Sequence, residues 1–285
     1  MNQQFPQFID HIVSRLQSIQ GIAAIALGGS RARGNYTKKS DVDLGIYYNP
    51  ENPIDLIALN RLASELDDDH RPNLITPIGE WGKWINGGGW LKVEGVPVDF
   101  LYRDVAQVEH VIDDCCAGKL TIDYQPGHPH GFVSSIYLGE VAIGLPLYDP
   151  DEVFAALKAK TNPYPTKLKQ ATIDQFAWEI SFSTFIAKKA IARGDVAYAS
   201  GCCFRSVACM NQVLFALNEE DLLNEKGAVA IANKFAICPL NYRSRVESAF
   251  TLLAVDSEAI AEAIAILEQI ESDLSQWYGD RRLVM

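Results

Sequence analysis

The chain has 285 residues, 48% hydrophobic and 21% charged, the balance of a folded protein long enough for one large or two medium domains. Its net charge of −11 excludes the dense Lys and Arg surface that non-specific binding to a nucleic-acid backbone needs. No unbroken apolar run reaches the ~18 residues of a membrane-spanning helix, so no span is expected.

Phe5, Phe8, Ile9, Ile12, Leu16 and Ile19 recur at steps of three and four and predict a helix over residues 4–19, ended by Gly21. Ile22 to Leu27 is a short apolar run entering Gly28-Gly29, the pattern of a buried strand leading into a turn. Val42 to Tyr48 predicts a second strand, with Asp43 and Gly45 alternating against Val42, Leu44 and Ile46. Pro53 is expected to open a helix reaching about Glu65, with Asp67–Asp69 as its solvated end. Residues 79–90, GEWGKWINGGGW, read as a connection, either a mobile lid or a bulged hairpin loop. Leu91–Val93 and Val96–Tyr102 flank Glu94-Gly95 as a hairpin, and a helix follows from about Asp104 to Ala117. PGHPHG at 126–131 reads as a loop. Beyond Pro150 strand signals vanish, and residues 168–193, 197–217, 227–236, 243–254 and 257–278 predict helices.

Charge divides along the same line: residues 1–150 hold 11 basic and 19 acidic side chains, −8 of the total −11. The expected organisation is an α/β domain over 1–150 and a helical domain over 151–285. The N-terminus lacks the basic start and apolar core of a secretory signal. Cys115, Cys116, Cys202, Cys203, Cys209 and Cys238 match no metal-binding spacing, which points to free thiols and a reducing cytoplasm.

Three segments carry the chemistry. Leu27-Gly28-Gly29-Ser30-Arg31-Ala32-Arg33-Gly34 is a glycine turn after a strand, where the backbone can approach a ligand closely. Ser30 offers a hydroxyl donor, and Arg31 and Arg33 offer charge for a triphosphate, with plain surface charge an equal reading for the arginines. Ser40-Asp41-Val42-Asp43-Leu44 opens a strand, and alternation puts Asp41 and Asp43 on one side. Two carboxylates that close repel unless a cation sits between them, and oxygen-only ligands suit Mg²⁺. Val98-Asp99-Phe100 supplies a third carboxylate from another strand. The glycine segment is not a P-loop, because Asn35 and Tyr36 stand where Lys and Ser or Thr would follow Gly34. Nor does it contain GxGxxG.

Leu27-Gly28-Gly29, eleven further residues and then Asp41-Val42-Asp43-Leu44 resemble the signature of the DNA polymerase β-type nucleotidyltransferase superfamily. GSRARG…SDVDL is similar to the small bacterial nucleotidyltransferases, among them the minimal proteins and the aminoglycoside and lincosamide adenylyltransferases. WGKWINGGGWLKVEGVPVDFLYRDV, with GHPHGF and YLGEV after it, is similar to a group of bacterial members with a helical C-terminal domain. The resemblance covers roughly residues 20–150 and implies an α+β fold: a nucleotidyltransferase domain with a mixed sheet flanked by helices, then an all-α bundle. It implies that Asp41, Asp43 and Asp99 hold two Mg²⁺ ions and carry catalysis. Gly28, Gly29, Ser30, Arg33 and Ser40 would bind an NTP, with ATP expected. The base for the acceptor would be Asp99, Glu140 or Glu179.

The implied reaction moves NMP, most simply AMP, onto a hydroxyl of a small-molecule acceptor with release of pyrophosphate. The acidic surface favours a cationic acceptor and disfavours nucleic acid, and a homodimer is allowed. The alternatives are a nucleotide-binding regulatory or antitoxin-like protein, or a protein AMPylator. Other residues have plainer readings: His128 and His130 as hydrogen-bonded imidazoles in a turn rather than a metal site, and Trp81, Trp84 and Trp90 as packing before stacking platforms. Lys188, Lys189 and Arg193 suit a solvated helix end, with a role towards the triphosphate as the alternative.

Overall fold

The computed structural model describes residues 6–37 and 39–279. Its elements run α1 (Gln7–Leu16), β1 (Ile22–Leu27), α2 (Gly29–Arg33), β2 (Val42–Tyr48), α3 (Leu56–Leu66), β3 (Gly88–Val93), β4 (Val96–Asp104), α4 (Val105–Cys116), β5 (Ile122–Gln125), β6 (His128–Val133), α5 (Ser135–Ile143), β7 (Leu145–Tyr148), α6 (Val153–Ala159), α7 (Thr166–Ala187), α8 (Val196–Leu217), α9 (Ala228–Ala232), α10 (Tyr242–Thr251) and α11 (Ser257–Ser275). The fold is α+β: a mixed sheet with helices, followed by a helical region.

The chain divides into two compact units, Met1–Asp113 with Tyr137–Pro163 and Asp114–Ile136 with Tyr164–Met285. The division therefore falls at three points in the chain, where the sequence suggested one near residue 150.

In the first unit the sheet has five strands in the order β3-β4-β2-β1-β7. β2 and β4 are parallel and the remaining neighbours antiparallel. One face is apolar. Val42, Leu44 and Ile46 of β2 and Val98, Phe100 and Tyr102 of β4 join Ile9, Ile12 and Leu16 of α1 and Leu59, Leu62 and Leu66 of α3 in one core. Alternation along β2 and β4 then sends Asp43, Gly45 and Tyr47, and Asp99, Leu101 and Arg103, to the opposite face.

Several local expectations give way to tertiary contacts. Phe5 lies outside the described residues, and α1 starts at Gln7. Pro53 does not open α3. Asp55 does, its Oδ1 accepting from the N–H groups of Ile57 and Ala58 at 3.1 and 3.0 Å. Asp67 is not a solvated helix end. It is fully buried, grips the Arg71 guanidinium at 2.6 and 2.9 Å, and accepts from the Lys92 N–H at 2.9 Å, tying the end of α3 to β3. Gly88 and Gly89 belong to β3 rather than to a lid or loop; a Cβ on Gly88 would come 1.7 Å from the Phe100 carbonyl oxygen.

The second unit is not wholly helical. PGHPHG is the turn and second strand of a hairpin, β5–β6, and Val133 of β6 joins the helical core around Phe176, Ile180, Met210 and Ile264. The long helices α7, α8 and α11 supply most of that core from apolar faces. The sequence reading missed α5, β7 and α6. The end of α5 is capped by Lys158 of α6, whose ammonium donates to the Val141, Ala142 and Gly144 carbonyls at 3.2, 2.6 and 2.7 Å.

Candidate functional site

The glycine bend and Asp43 touch. The Gly28 N–H donates to the Asp43 carbonyl at 2.8 Å, continuing the β1–β2 pairing one residue beyond Leu27 and Leu44. Gly29 sits at φ +59°, and a Cβ there would lie 1.8 Å from Asp43 Oδ2. Glycine is thus required twice at this position, by the left-handed backbone and by the carboxylate pressed against it. Ser30 and Arg33 follow in the short α2, which Gly34 ends in the left-handed conformation at φ 80°.

Asp43 and Asp99 are register partners on the parallel strands β2 and β4, so the carboxylates stand side by side on the open face. Both are half-buried. Trp90 of β3 is in turn the register partner of Asp99. The sheet therefore carries a row across its strands: Gly28, Asp43, Asp99, Trp90. Trp90 is 61% exposed and stacks on Trp81 with ring centroids 4.5 Å apart and an interplanar angle of 18°. Trp84, by contrast, is buried and packs edge-on against Tyr137.

Asp41 lies just ahead of β2 and is half-buried. The loop bearing it is fixed by Arg31, whose Nε donates to the Asp41 carbonyl at 2.9 Å and whose Nη2 donates to the Ser40 carbonyl at 2.8 Å. Arg31 is thus a clamp on the carboxylate loop, not a free phosphate ligand, and Tyr36 covers its guanidinium at 5.0 Å. The Ser40 hydroxyl accepts from the Thr37 N–H at 2.9 Å and closes the same loop. Strand register sets Asp43 beside Asp99, and Asp41 stands two residues ahead of Asp43 at the head of β2. Among the described residues, the one trio of ligating side chains with all donor atoms within 4.8 Å of one another is His130, Glu179 and Cys209, in the second unit.

Four residues further along the strands, the same face is occupied differently. Tyr47 and Arg103 are register partners there. Arg103 is 2% exposed and forms a two-pronged pair with Glu140 of α5, both contacts 2.8 Å. Burial works against the Arg103 charge, but Glu140 beside it holds the guanidinium above the ordinary arginine range. Burial chiefly pushes the Tyr137 phenol up to about 12, and its hydroxyl donates to the Trp84 carbonyl at 2.5 Å. Glu140 is thereby a structural partner rather than a free base. Glu179, the other base candidate, is buried in α7 and paired with Arg205. Lys188 pairs with Glu268 at 2.7 Å.

The sequence signalled Asp43 and Asp99 through motif and alternation. It did not signal the Trp90–Trp81 stack or the Arg103–Glu140 pair, because strand order and the return of α5 decide both.

No curated protein matches the chain. Residues 9–113 match the family model described as Nucleotidyltransferase domain, and residues 133–221 match Domain of unknown function (DUF4037). The chain is also similar, over 95% of its length, to a crystal structure titled nucleotidyltransferase-like protein from Exiguobacterium sibiricum 255-15, of which it covers 76%; identity is 11% and the TM-score 0.41. The glycine bend, Asp41, Asp43 and Asp99 all fall inside the first match. Residues 9–113, which carry the bend and the three aspartates, are thus similar to a nucleotidyltransferase domain.

Proposed function

We propose that the protein transfers AMP from ATP to a hydroxyl of a small, cationic or flat acceptor, releasing pyrophosphate. The observation that supports this reading is the row Gly28, Asp43, Asp99, Trp90 across four adjacent strand positions of one sheet face. A glycine bend for phosphates, two carboxylates side by side and an exposed aromatic surface follow one another in the order that nucleotide, reacting phosphorus and acceptor would need.

The donor set suits Mg²⁺. The aspartates offer oxygen only, the donor that Mg²⁺ takes. We assign Asp41, Asp43 and Asp99 to the metal, with Gly28, Gly29, Ser30 and Arg33 on the triphosphate side. When bound, the metal neutralises phosphate charge and aligns the attacking and leaving oxygens. The chain's own residues do the rest. We assign Asp99, placed beside Asp43 by strand register, to take the acceptor's hydroxyl proton; Glu140 and Glu179 are engaged with Arg103 and Arg205. The Arg31 clamp keeps Asp41 and Asp43 at a fixed height beside the bend. The Trp90–Trp81 stack provides a face for an acceptor ring or amine, with the two acidic groups favouring positive charge next to it.

The test is pyrophosphate release from ATP and Mg²⁺ in the presence of a panel of small hydroxylated amines. Acceptor-stimulated release, lost in Asp43→Ala, supports the reading. ATP binding with no turnover on any acceptor would instead support a regulatory, antitoxin-like role. Label transferred to added protein would support AMPylation.

A further inference from the structure

The second unit holds a cluster that the transfer chemistry does not use. Cys209 of α8 is fully buried, His130 of β6 is 7% exposed and Glu179 of α7 is 8% exposed. A thiol, an imidazole and a carboxylate, contributed by three elements far apart in sequence, meet with every donor atom within 4.8 Å of the others. Around them the unit is apolar: Phe176, Ile180, Met210 and Val213 are buried neighbours along the same helices. Burying three polar groups together costs desolvation, which their mutual contacts and the Arg205–Glu179 pair offset in part.

We propose that His130, Glu179 and Cys209 bind a zinc-class divalent ion that pins the β5–β6 hairpin to α7 and α8. The donor chemistry selects the ion. Sulfur and imidazole nitrogen together suit zinc and exclude Mg²⁺ or Ca²⁺, which take oxygen. The spacing agrees. With Zn–S near 2.3 Å and Zn–N near 2.0–2.1 Å, tetrahedral geometry puts sulfur and nitrogen about 3.6 Å apart. Cys209 Sγ and His130 Nε2 are 3.6 Å apart. A thiol–imidazole hydrogen bond accepts the same distance, and Glu179 is also held by Arg205, so metal content decides between the two.

The surrounding contacts are those of a supported ligand set. Arg205 of α8 grips Glu179 through Nε, giving the carboxylate the outer hydrogen bond that ligating carboxylates commonly have. The His130 backbone N–H donates to the Glu225 carboxylate at 2.7 Å, which fixes the strand residue carrying the imidazole. Zinc binding would convert Cys209 to the thiolate, its proton released to solvent; with the Glu179 carboxylate and the paired Arg205 guanidinium the cluster then carries one net positive charge. Three protein ligands leave the fourth position to a water.

The experiment uses the intact protein, expressed with zinc in the medium, desalted and measured for metal by plasma mass spectrometry. About one zinc per chain is expected. Co²⁺ exchanged into the same protein should give a thiolate-to-cobalt charge-transfer band. Cys209→Ser should lose both the band and the zinc, and Arg205→Gln should weaken zinc affinity about tenfold. Asp43→Ala, in the other unit, should keep its zinc, which separates this site from the Mg²⁺ site. A folded wild-type chain that takes up neither zinc nor cobalt overturns the proposal, whether or not the variants fold. So does full zinc retention by a folded Cys209→Ser chain.

Discussion

One face of one sheet carries two charged stations, and they are built on opposite principles. At Tyr47 and Arg103 the strands meet α5, and the charge on Arg103 is answered by Glu140 through two 2.8 Å contacts in a nearly dry setting. Four residues back, at Asp43 and Asp99, two charges of the same sign stand in register and half-exposed. The first station is a closed account between side chains and serves stability. The second sets two carboxylates in register beside a glycine bend, where solvent still reaches them. Equal strand geometry thus yields structure at one end and chemistry at the other, and the covering helix makes the difference.

The comparison predicts that damage at the two stations separates into activity and stability. Asp43→Ala should lower ATP-dependent transfer by at least about 10²–10³-fold, the usual loss when a group stabilising transition-state charge is removed. Its denaturation midpoint should stay near that of the wild type. Glu140→Ala should do the reverse, costing about 3 kcal/mol of stability in a denaturant titration because Arg103 is left buried and unpaired. Arg103→Met combined with Glu140→Leu should recover much of that loss. If Glu140→Ala were as stable as wild type while abolishing transfer, the assignment of the two stations would be reversed.

Gly29→Ala sharpens the contrast, since its added carbon meets Asp43 Oδ2 at 1.8 Å in a left-handed backbone. We expect a stability loss of about 1–2 kcal/mol together with reduced transfer, read from the same two assays. Trp90→Ala should weaken acceptor-stimulated turnover through a raised acceptor KM, with the KM for ATP unchanged. Exposed as Trp90 is, its stability cost should stay below about 1 kcal/mol.

The smallest effect concerns acid. The Arg71 guanidinium, bonded to Asp67, holds that carboxyl well below the usual range; burial opposes this, and the Lys92 and Arg71 N–H groups add to the lowering. A depressed folded value means that the stabilisation is complete above the unfolded carboxyl pKa of about 3.9 and drains away as pH falls below it. Asp67→Asn should therefore be less stable than wild type at neutral pH. The difference should narrow in thermal melts taken below about pH 4.

Strands β1 and β2 were legible residue for residue, from Ile22 to Leu27 as a continuous apolar run and from Val42 to Tyr48 through alternation at its start. Gly88 and Gly89 were misread as a loop because closeness to Phe100 and Leu74, not local preference, demands glycine in β3. Asp67 was misread as solvated because the Lys92 N–H that helps bury it arrives only when β3 folds back along α3, while Arg71 is its near neighbour in sequence. His128 and His130 lay in a segment of turn formers, yet they form a strand because the second unit covers it.

The amino-acid order alone determined the glycine bend, the spacing to Asp41 and Asp43, the strand around Asp99 and the helical character beyond residue 160. These depend on neighbours within a few positions, where sterics and periodicity act directly. Only the tertiary structure decided that Asp99 lies beside Asp43 with Trp90 next in the row, that Glu140 answers Arg103, and that residues 130, 179 and 209 converge. Each of these follows from which strands pair and which helices return, and such long-range closures leave no mark in local sequence.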